Sequence, residues 1–203
     1  MKRMILVVLL SLACTAFAAE QTAVSSAQAA APSGHELQFS VGYLYQGERG
    51  VAGGDWFGMN GARADLLLPL KRHWGLVAEF SGVHAGNMGS SSGPALTLFS
   101  YMAGARLSYP LRKGRETRTL TPFAQILFGG AHASEGAFPS GSTLRGQADS
   151  FAMSVGGGLQ VGVNRKVSVR LIQADYLYTR LPNLLDNYQN NYRIGAGVVL
   201  RLR

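Results

Sequence analysis

The sequence is short of charge, of cysteine and of long apolar runs, and each shortage closes off a class of protein. Charged residues are 15% of its 203 positions, against about 25% in ordinary soluble domains, which leaves few to cover a water-facing surface. The single cysteine, Cys14, falls in an N-terminal segment read below as removed, so the mature chain has neither disulfides nor thiolate metal ligands. The one sustained apolar run, Met4 to Leu12, is far shorter than the roughly 20 residues of a membrane-spanning helix. The four histidines, His35, His73, His84 and His132, are scattered without metal-ligand spacing, and no cofactor is expected. In abundance are 26 glycines and a hydrophobic share of 47%, a combination suited to membrane β-structure.

The N-terminus reads as an export signal. Lys2 and Arg3 precede the apolar run, and Ala16-Phe17-Ala18 offers a small-x-small cleavage site, so residues 1–18 are assigned to a secretory signal peptide. Ser11-Leu12-Ala13-Cys14 is similar to a lipobox, but Ser11 stands where leucine is usual and the better cleavage site follows, so lipidation is not expected. Residues 19–36, rich in Ala, Ser and Gln, form a flexible periplasmic leader. Residues 37–203 then form one domain.

From Leu37 onward, apolar and small or polar residues alternate with period two in eight stretches of about ten residues, separated by turn signals. The stretches run from Leu37 to Gln46, Phe57 to Leu70, Trp74 to His84, Ala95 to Tyr109, Thr119 to Ala133, Asp149 to Val163, Lys166 to Tyr178 and Asn191 to Arg203. Thr119 to Ala133 is the least regular. In the seventh, adjacent Leu171 and Ile172 break the parity, which predicts a bulge. The expected fold is all-β: a closed, eight-stranded, antiparallel up-and-down barrel, closure being what lets a sheet cross lipid with every backbone group paired.

Which face is apolar decides the solvent. Phe39, Val41, Tyr43 and Tyr45 share one face of the first stretch, and Phe99, Tyr101, Ala103, Ala105 and Leu107 one face of the fourth. Charges share the other face with glycines and serines: Arg63, Asp65, Glu79, Arg106, Arg170, Asp175, Arg193 and Arg201. A soluble lipocalin-like barrel reverses this order; polar inside and apolar outside is the membrane pattern. The inward charges are enough for an ion-pair network, and unpaired they are costly. Tyr43, Tyr45, Trp56, Phe57, Trp74, Tyr109, Tyr176, Tyr178 and Tyr192 fall near strand ends, where aromatic girdles sit at the two interfaces. Gly156-Gly157-Gly158 lies mid-strand, where glycine lets an interior side chain approach.

With the leader in the periplasm, the outer loops are Gly47 to Trp56, Ala85 to Pro94, Ser134 to Ala148 and Arg180 to Asn190. They hold Arg49, Arg145 and Arg180 against Glu48, Asp55, Glu135 and Asp186, three against four, a net of −1. The inner turns and last residue hold Lys71, Arg72, Arg112, Lys113, Arg115, Arg118, Arg165, Lys166 and Arg203 against Glu116, nine against one, a net of +8. That basic rim suits anionic lipid head groups of the inner leaflet. Nucleic acid is not an expected partner, because the chain is exported and has no basic groove interleaved with aromatics.

The signal peptide, the eight amphipathic stretches and the closing segments Asp175-Tyr176-Leu177-Tyr178-Thr179-Arg180 and Asn191-Tyr192-Arg193-Ile194-Gly195-Ala196-Gly197-Val198-Val199-Leu200-Arg201 carry a family likeness. Together they resemble the small outer-membrane barrels that include the transmembrane domain of outer membrane protein A. The resemblance implies a monomer in the cell outer membrane, in contact with outer-membrane lipids and lipopolysaccharide, inserted by the outer-membrane assembly machinery. It implies roles from envelope integrity and adhesion to narrow solute passage, so fold alone does not fix function. The family commonly ends in an aromatic residue, whereas this chain ends Leu200-Arg201-Leu202-Arg203; outward Leu202 is the expected substitute. The namesake's peptidoglycan-binding domain has no counterpart after the last stretch, so cell-wall anchoring is not expected.

One pair of residues invites a chemical reading. His132-Ala133-Ser134 is similar to the His-x-Ser pair of a barrel lipid A deacylase, in which histidine takes the serine proton. The carboxylate expected about a dozen residues later is missing: Leu144, Arg145 and Gly146 stand there, with Asp149 and Glu135 as substitutes. A structural or surface-interaction role without catalysis is therefore the leading expectation. A narrow channel for small solutes is the alternative, and a deacylase using His132 and Ser134 the third.

Overall fold

The computed structural model describes residues 36–49, 56–86, 95–112, 119–140, 143–181 and 188–202. The chain divides into two units, Met1–Gly34 and His35–Arg203. The expected signal peptide and all but the last residue of the leader lie outside the described residues. Among the described residues the second unit has nine strands: β1 Leu37–Arg49, β2 Trp56–Pro69, β3 Trp74–Ala85, β4 Leu96–Ser108, β5 Leu111–Arg112, β6 Thr119–Ser140, β7 Thr143–Gly162, β8 Val167–Thr179 and β9 Gln189–Leu202.

Eight of them close a barrel. Each is antiparallel to its neighbours, β4 pairs β6 from Thr97↔Ser134 to Ser108↔Phe123, and β1 pairs β9 from Leu37↔Leu202 to Glu48↔Asn191. The ninth, β5, is a two-residue extension paired with Thr119 and Leu120 at one end of β6, an element absent from the alternation pattern because it is too short to show one. Short turns hold the end of the barrel at which β1 begins and β9 ends. Leu70 and Lys71 both donate to the Trp74 carbonyl, and the Asn164 side chain accepts the N–H groups of Lys166 and Val167 at 2.8 and 2.7 Å, an Asx turn of the kind that caps a hairpin.

The alternation sorts side chains to two sides of one wall. In β3, residues from Trp74 to Ala85 alternate exposed and buried almost without exception. The sense is inverted relative to a soluble barrel: Phe80 and Tyr101 are 54% and 53% exposed, whereas Glu79 and Arg193 are 3% and 2% exposed. An apolar exterior around a charged interior is the signature of a barrel that crosses a bilayer.

The interior is not polar throughout. The middle of the lumen holds the charged side chains, but toward the end opposite Leu37 and Leu202 the residues Leu44, Met59, Val83, Leu98, Leu177 and Leu181 pack together with four alanines. An eight-stranded barrel has room for side chains and little else, and buried Gln46, Glu48, Thr179 and Asn191 share this end of the lumen with the apolar residues. Phe57, expected in the exterior girdle, packs against this internal cluster. Glu48, assigned to an outer loop, lies in β1 and is buried. Glu48 follows from β1 running past Gln46 with its parity unchanged, and Phe57 shares the parity of inward Met59, Arg63 and Asp65 on β2.

Two irregularities shape the wall. The segment Ser134 to Ala148, expected as a loop, is mostly strand: β6 and β7 continue to the pairs Phe138↔Arg145, Pro139↔Leu144 and Ser140↔Thr143. A register shift between Ser134 and Phe138 interrupts them, and Glu135 takes φ 66° there, a left-handed conformation that suits a bulge. The second irregularity matches the parity break at Leu171 and Ile172. The β8–β9 register shifts between Arg170 and Gln173, both Leu171 and Ile172 are exposed, and both Arg170 and Gln173 are buried.

Candidate functional site

Two places combine polar chemistry with defined geometry: the middle of the lumen and the outward face at the foot of the β6–β7 hairpin.

In the lumen, side chains from seven of the eight barrel strands meet. Asp65 on β2 accepts from Arg106 on β4 at 3.2 Å, from Arg170 on β8 at 2.6 Å and from Ser40 on β1 at 2.5 Å. Arg63 donates to Asp175 at 2.6 Å, and Arg193 on β9 donates to Glu79 on β3 at 2.7 Å. Longer contacts, Arg63 to Glu79 at 3.6 Å and Arg193 to Asp175 at 3.7 Å, tie those four into one cluster. Gln125 on β6 bridges the halves, accepting from Arg106 Nη2 at 2.7 Å and reaching Glu79 and Asp175 at 3.4 Å. The guanidiniums of Arg106 and Arg170 both sit over the Phe123 ring, at 4.6 and 5.2 Å, where the ring face favours a cation.

The eighth strand contributes space. A Cβ on Gly156 would collide with the Asp175 carboxylate, and one on Gly158 with the Phe123 ring. The glycine run of β7 is therefore where the lumen is widened to admit the network. Gln173, which accepts from Arg170 at 2.7 Å and donates to Asp175 at 3.1 Å, was hidden in the sequence because the bulge before it reverses its parity. Arg201 stands apart from the network. It donates to Ser168 Oγ at 3.2 Å and to the Arg165 carbonyl at 3.3 Å near the terminal end.

Of the basic rim, Lys71, Arg72, Arg165 and Lys166 are exposed at that same end. Arg112 belongs to β5, and Lys113, Arg115 and Arg118 lie outside the described residues. Trp74 and Tyr109 are exposed next to this rim, and His73 stacks on Tyr109 at 4.8 Å. Near the opposite end, Trp56, Tyr176 and Tyr192 form an exterior aromatic group, with Tyr192 6.0 Å from Trp56 and 5.7 Å from Tyr176.

At the hairpin's foot, His132 lies 2.6 Å from Asp149. His84 lies 2.8 Å from Thr97, which donates to Glu135 at 2.7 Å. All point away from the lumen, since the parity of β6 puts Ala131 and Ala133 inside. Asp149 thus takes the place next to His132 that a hydrolytic triad needs, but among the described residues no hydrogen bond joins Ser134 to His132. Among the described residues, too, no group of three or more His, Cys, Asp or Glu side chains is placed to hold a metal.

Neither a protein-family model nor a curated protein matches the sequence. Solved structures do. Neisserial surface protein A superposes with a TM-score of 0.53 at 13% identity, covering 82% of this chain and 97% of that one. This is the fold of the small outer-membrane β-barrels. Two further barrels align over a similar span: Ail, the attachment invasion locus protein of Yersinia pestis, at TM-score 0.49 and 19% identity over 83% of this chain and 100% of that one, and the N-terminal β-barrel domain of Pseudomonas aeruginosa OprF, at TM-score 0.39 and 14% identity over 79% and 96%. Identities this low carry the fold and nothing finer. The inverted exterior and the paired charges inside are this chain's own reasons for belonging in a bilayer.

Proposed function

We propose that this chain is a monomeric, non-enzymatic barrel of the cell outer membrane that works at the cell surface, and the observation that carries this reading is the β6–β7 hairpin. Strands β6 and β7 have 22 and 20 residues, against 12 to 14 in the other barrel strands. Among the described residues, pairing with β4 ends at Ser134 and pairing with β8 at Ala152, so the hairpin stands roughly 15–20 Å clear of the wall.

Its two edges differ. The β6 edge is interrupted by the bulge and by Pro139, which has no N–H to donate. The β7 edge from Thr143 to Ser150 contains no proline and, among the described residues, pairs only with β6. An extended segment of a partner polypeptide can add to such an edge. With the hairpin outward, the basic rim faces the periplasm, where Lys71, Arg72, Arg165 and Lys166 meet the phosphates of the inner leaflet, each worth about 1 kcal/mol near an anionic surface. Lipopolysaccharide borders the hairpin's foot, and insertion falls to the outer-membrane assembly machinery.

The alternatives have less support. A channel needs a wet path, and the apolar cluster of Leu44, Met59, Leu98 and Leu177 fills one end of the lumen. A deacylase needs the serine bonded to its base, a bond missing between Ser134 and His132.

The test is to replace Glu135 to Asp149 by a two-residue turn. The trimmed barrel is expected to retain the heat-modifiable gel mobility of a folded barrel. Cells displaying it should lose binding to immobilised extracellular matrix and serum proteins relative to cells displaying the intact chain. Equal binding by both would remove the surface role from the hairpin.

A further inference from the structure

The charge count of the lumen is uneven. Among the described residues, four buried guanidiniums, Arg63, Arg106, Arg170 and Arg193, stand against three carboxylates of the network, Asp65, Glu79 and Asp175. The fourth buried carboxylate, Glu48, makes no ion pair among the described residues. Its strand partner is Asn191, two positions along β9 from Arg193 and level with the apolar cluster. The excess is localised. Glu79 and Asp175 share Arg63 and Arg193, two against two, whereas Asp65 alone serves both Arg106 and Arg170. One positive charge near Arg170 is thus unmatched in a place where an unpaired ion is costly.

A cavity adjoins it. Ser40, Arg63, Arg170 and Gln173 line it on the lumen side, against the bare backbone of Gly195 and Gly197, and the centre of a water-sized sphere has about 10 Å³ to occupy there, the room of one small particle. Arg170 Nε has no hydrogen-bond acceptor, and Arg63 Nε has only the 3.6 Å contact with Glu79. The acceptors nearby are taken: Gln173 Oε1 by Arg170 Nη1, and Asp65 by two arginines and Ser40. Donors without acceptors, an unmatched positive charge and a hole of one-particle size coincide.

The geometry assigns to this cavity a small monovalent anion such as chloride, for which a hole of the size of one water must widen by a few tenths of an ångström, held between Arg170 and the Gly195–Gly197 wall as the missing counter-charge of the network. Such an ion is a structural cofactor of the barrel, stabilising the folded state by mass action.

The folded protein in detergent is the material for the test. Crystals grown in bromide are expected to give an anomalous peak beside Arg170 Nε; a water there, with no anomalous signal, overturns the assignment. Urea unfolding at fixed ionic strength is expected to shift with the logarithm of chloride concentration when gluconate is replaced by chloride, by about tenfold in the equilibrium constant at ten times the dissociation constant. Gln173→Glu places a carboxylate at the cavity and should abolish that shift, and if this variant does not fold, the bromide peak in the native chain decides. Glu48→Gln should leave the chloride shift intact. A native chain indifferent to chloride whose Glu48→Gln variant becomes chloride-dependent would instead make Glu48 the counter-charge, and the anion site would fall.

Discussion

Arg193 illustrates what a single side chain does in this lumen. It is almost fully buried, donates to Glu79 at 2.7 Å and reaches Ser81 at 3.2 Å, so it joins β9 to β3 across the barrel. Truncating it to alanine removes little apolar contact but leaves the buried Glu79 carboxylate with only its longer contacts to Arg63 at 3.6 Å and Gln125 at 3.4 Å. Breaking one side of such a buried pair costs about 3–5 kcal/mol. Arg193→Ala is therefore expected to lower the urea midpoint of the folded barrel in lipid vesicles by that free energy, and the double variant Arg193→Ala, Glu79→Ala to recover part of it. A double variant as damaged as the sum of the two singles would mean that the pair is not coupled. Alternation assigned Arg193 and Glu79 inward; their pairing was not legible, because strands far apart in sequence meet only once the sheet closes.

Among the elements, β8 depends most on a local device. Its bulge lets Arg170 and Gln173, three residues apart, both point inward while Leu171 and Ile172 both face out. Because side chains alternate with period two, removing one residue from a regular run reverses every side chain on one side of the deletion. Deleting Leu171 instead takes out the extra residue of the bulge and leaves Arg170, Ile172 and Gln173 alternating in, out, in, so this variant is expected to keep heat-modifiable mobility after refolding in detergent. Deleting Tyr176, which lies in the regular run between inward Asp175 and Leu177, turns one of those two outward and should abolish that mobility. The bulge was visible in the sequence as two adjacent apolar residues in an alternating run. The hairpin of β6 and β7 was not, since its far half carries Gly, Pro and Ser residues that read as a loop. What makes it strand is cross-strand pairing, which local propensity does not encode.

At the level of the whole molecule, the layers of the lumen decide whether it conducts. An ion-pair band fills the middle, and Leu44, Met59, Leu98 and Leu177, each nearly or wholly inaccessible, close the end nearest the hairpin. The purified barrel in planar bilayers is expected to give no steady current at moderate voltage; a stable, reproducible single-channel step would show an open path past that layer. Sequence alone determined the class of the protein. Period two fixes strand over helix, and the side that carries charge fixes which solvent the wall faces, because both depend only on neighbours along the chain. It also placed Arg63, Asp65, Glu79, Arg106, Arg170, Asp175 and Arg193 on the inner face. Only the closed structure decided that Glu48 belongs to the lumen, that Arg201 stands outside the network, and which carboxylate each arginine meets. Those outcomes depend on the stagger between strands and on where each hairpin ends, quantities set by pairing around the whole ring and written in no single stretch of residues.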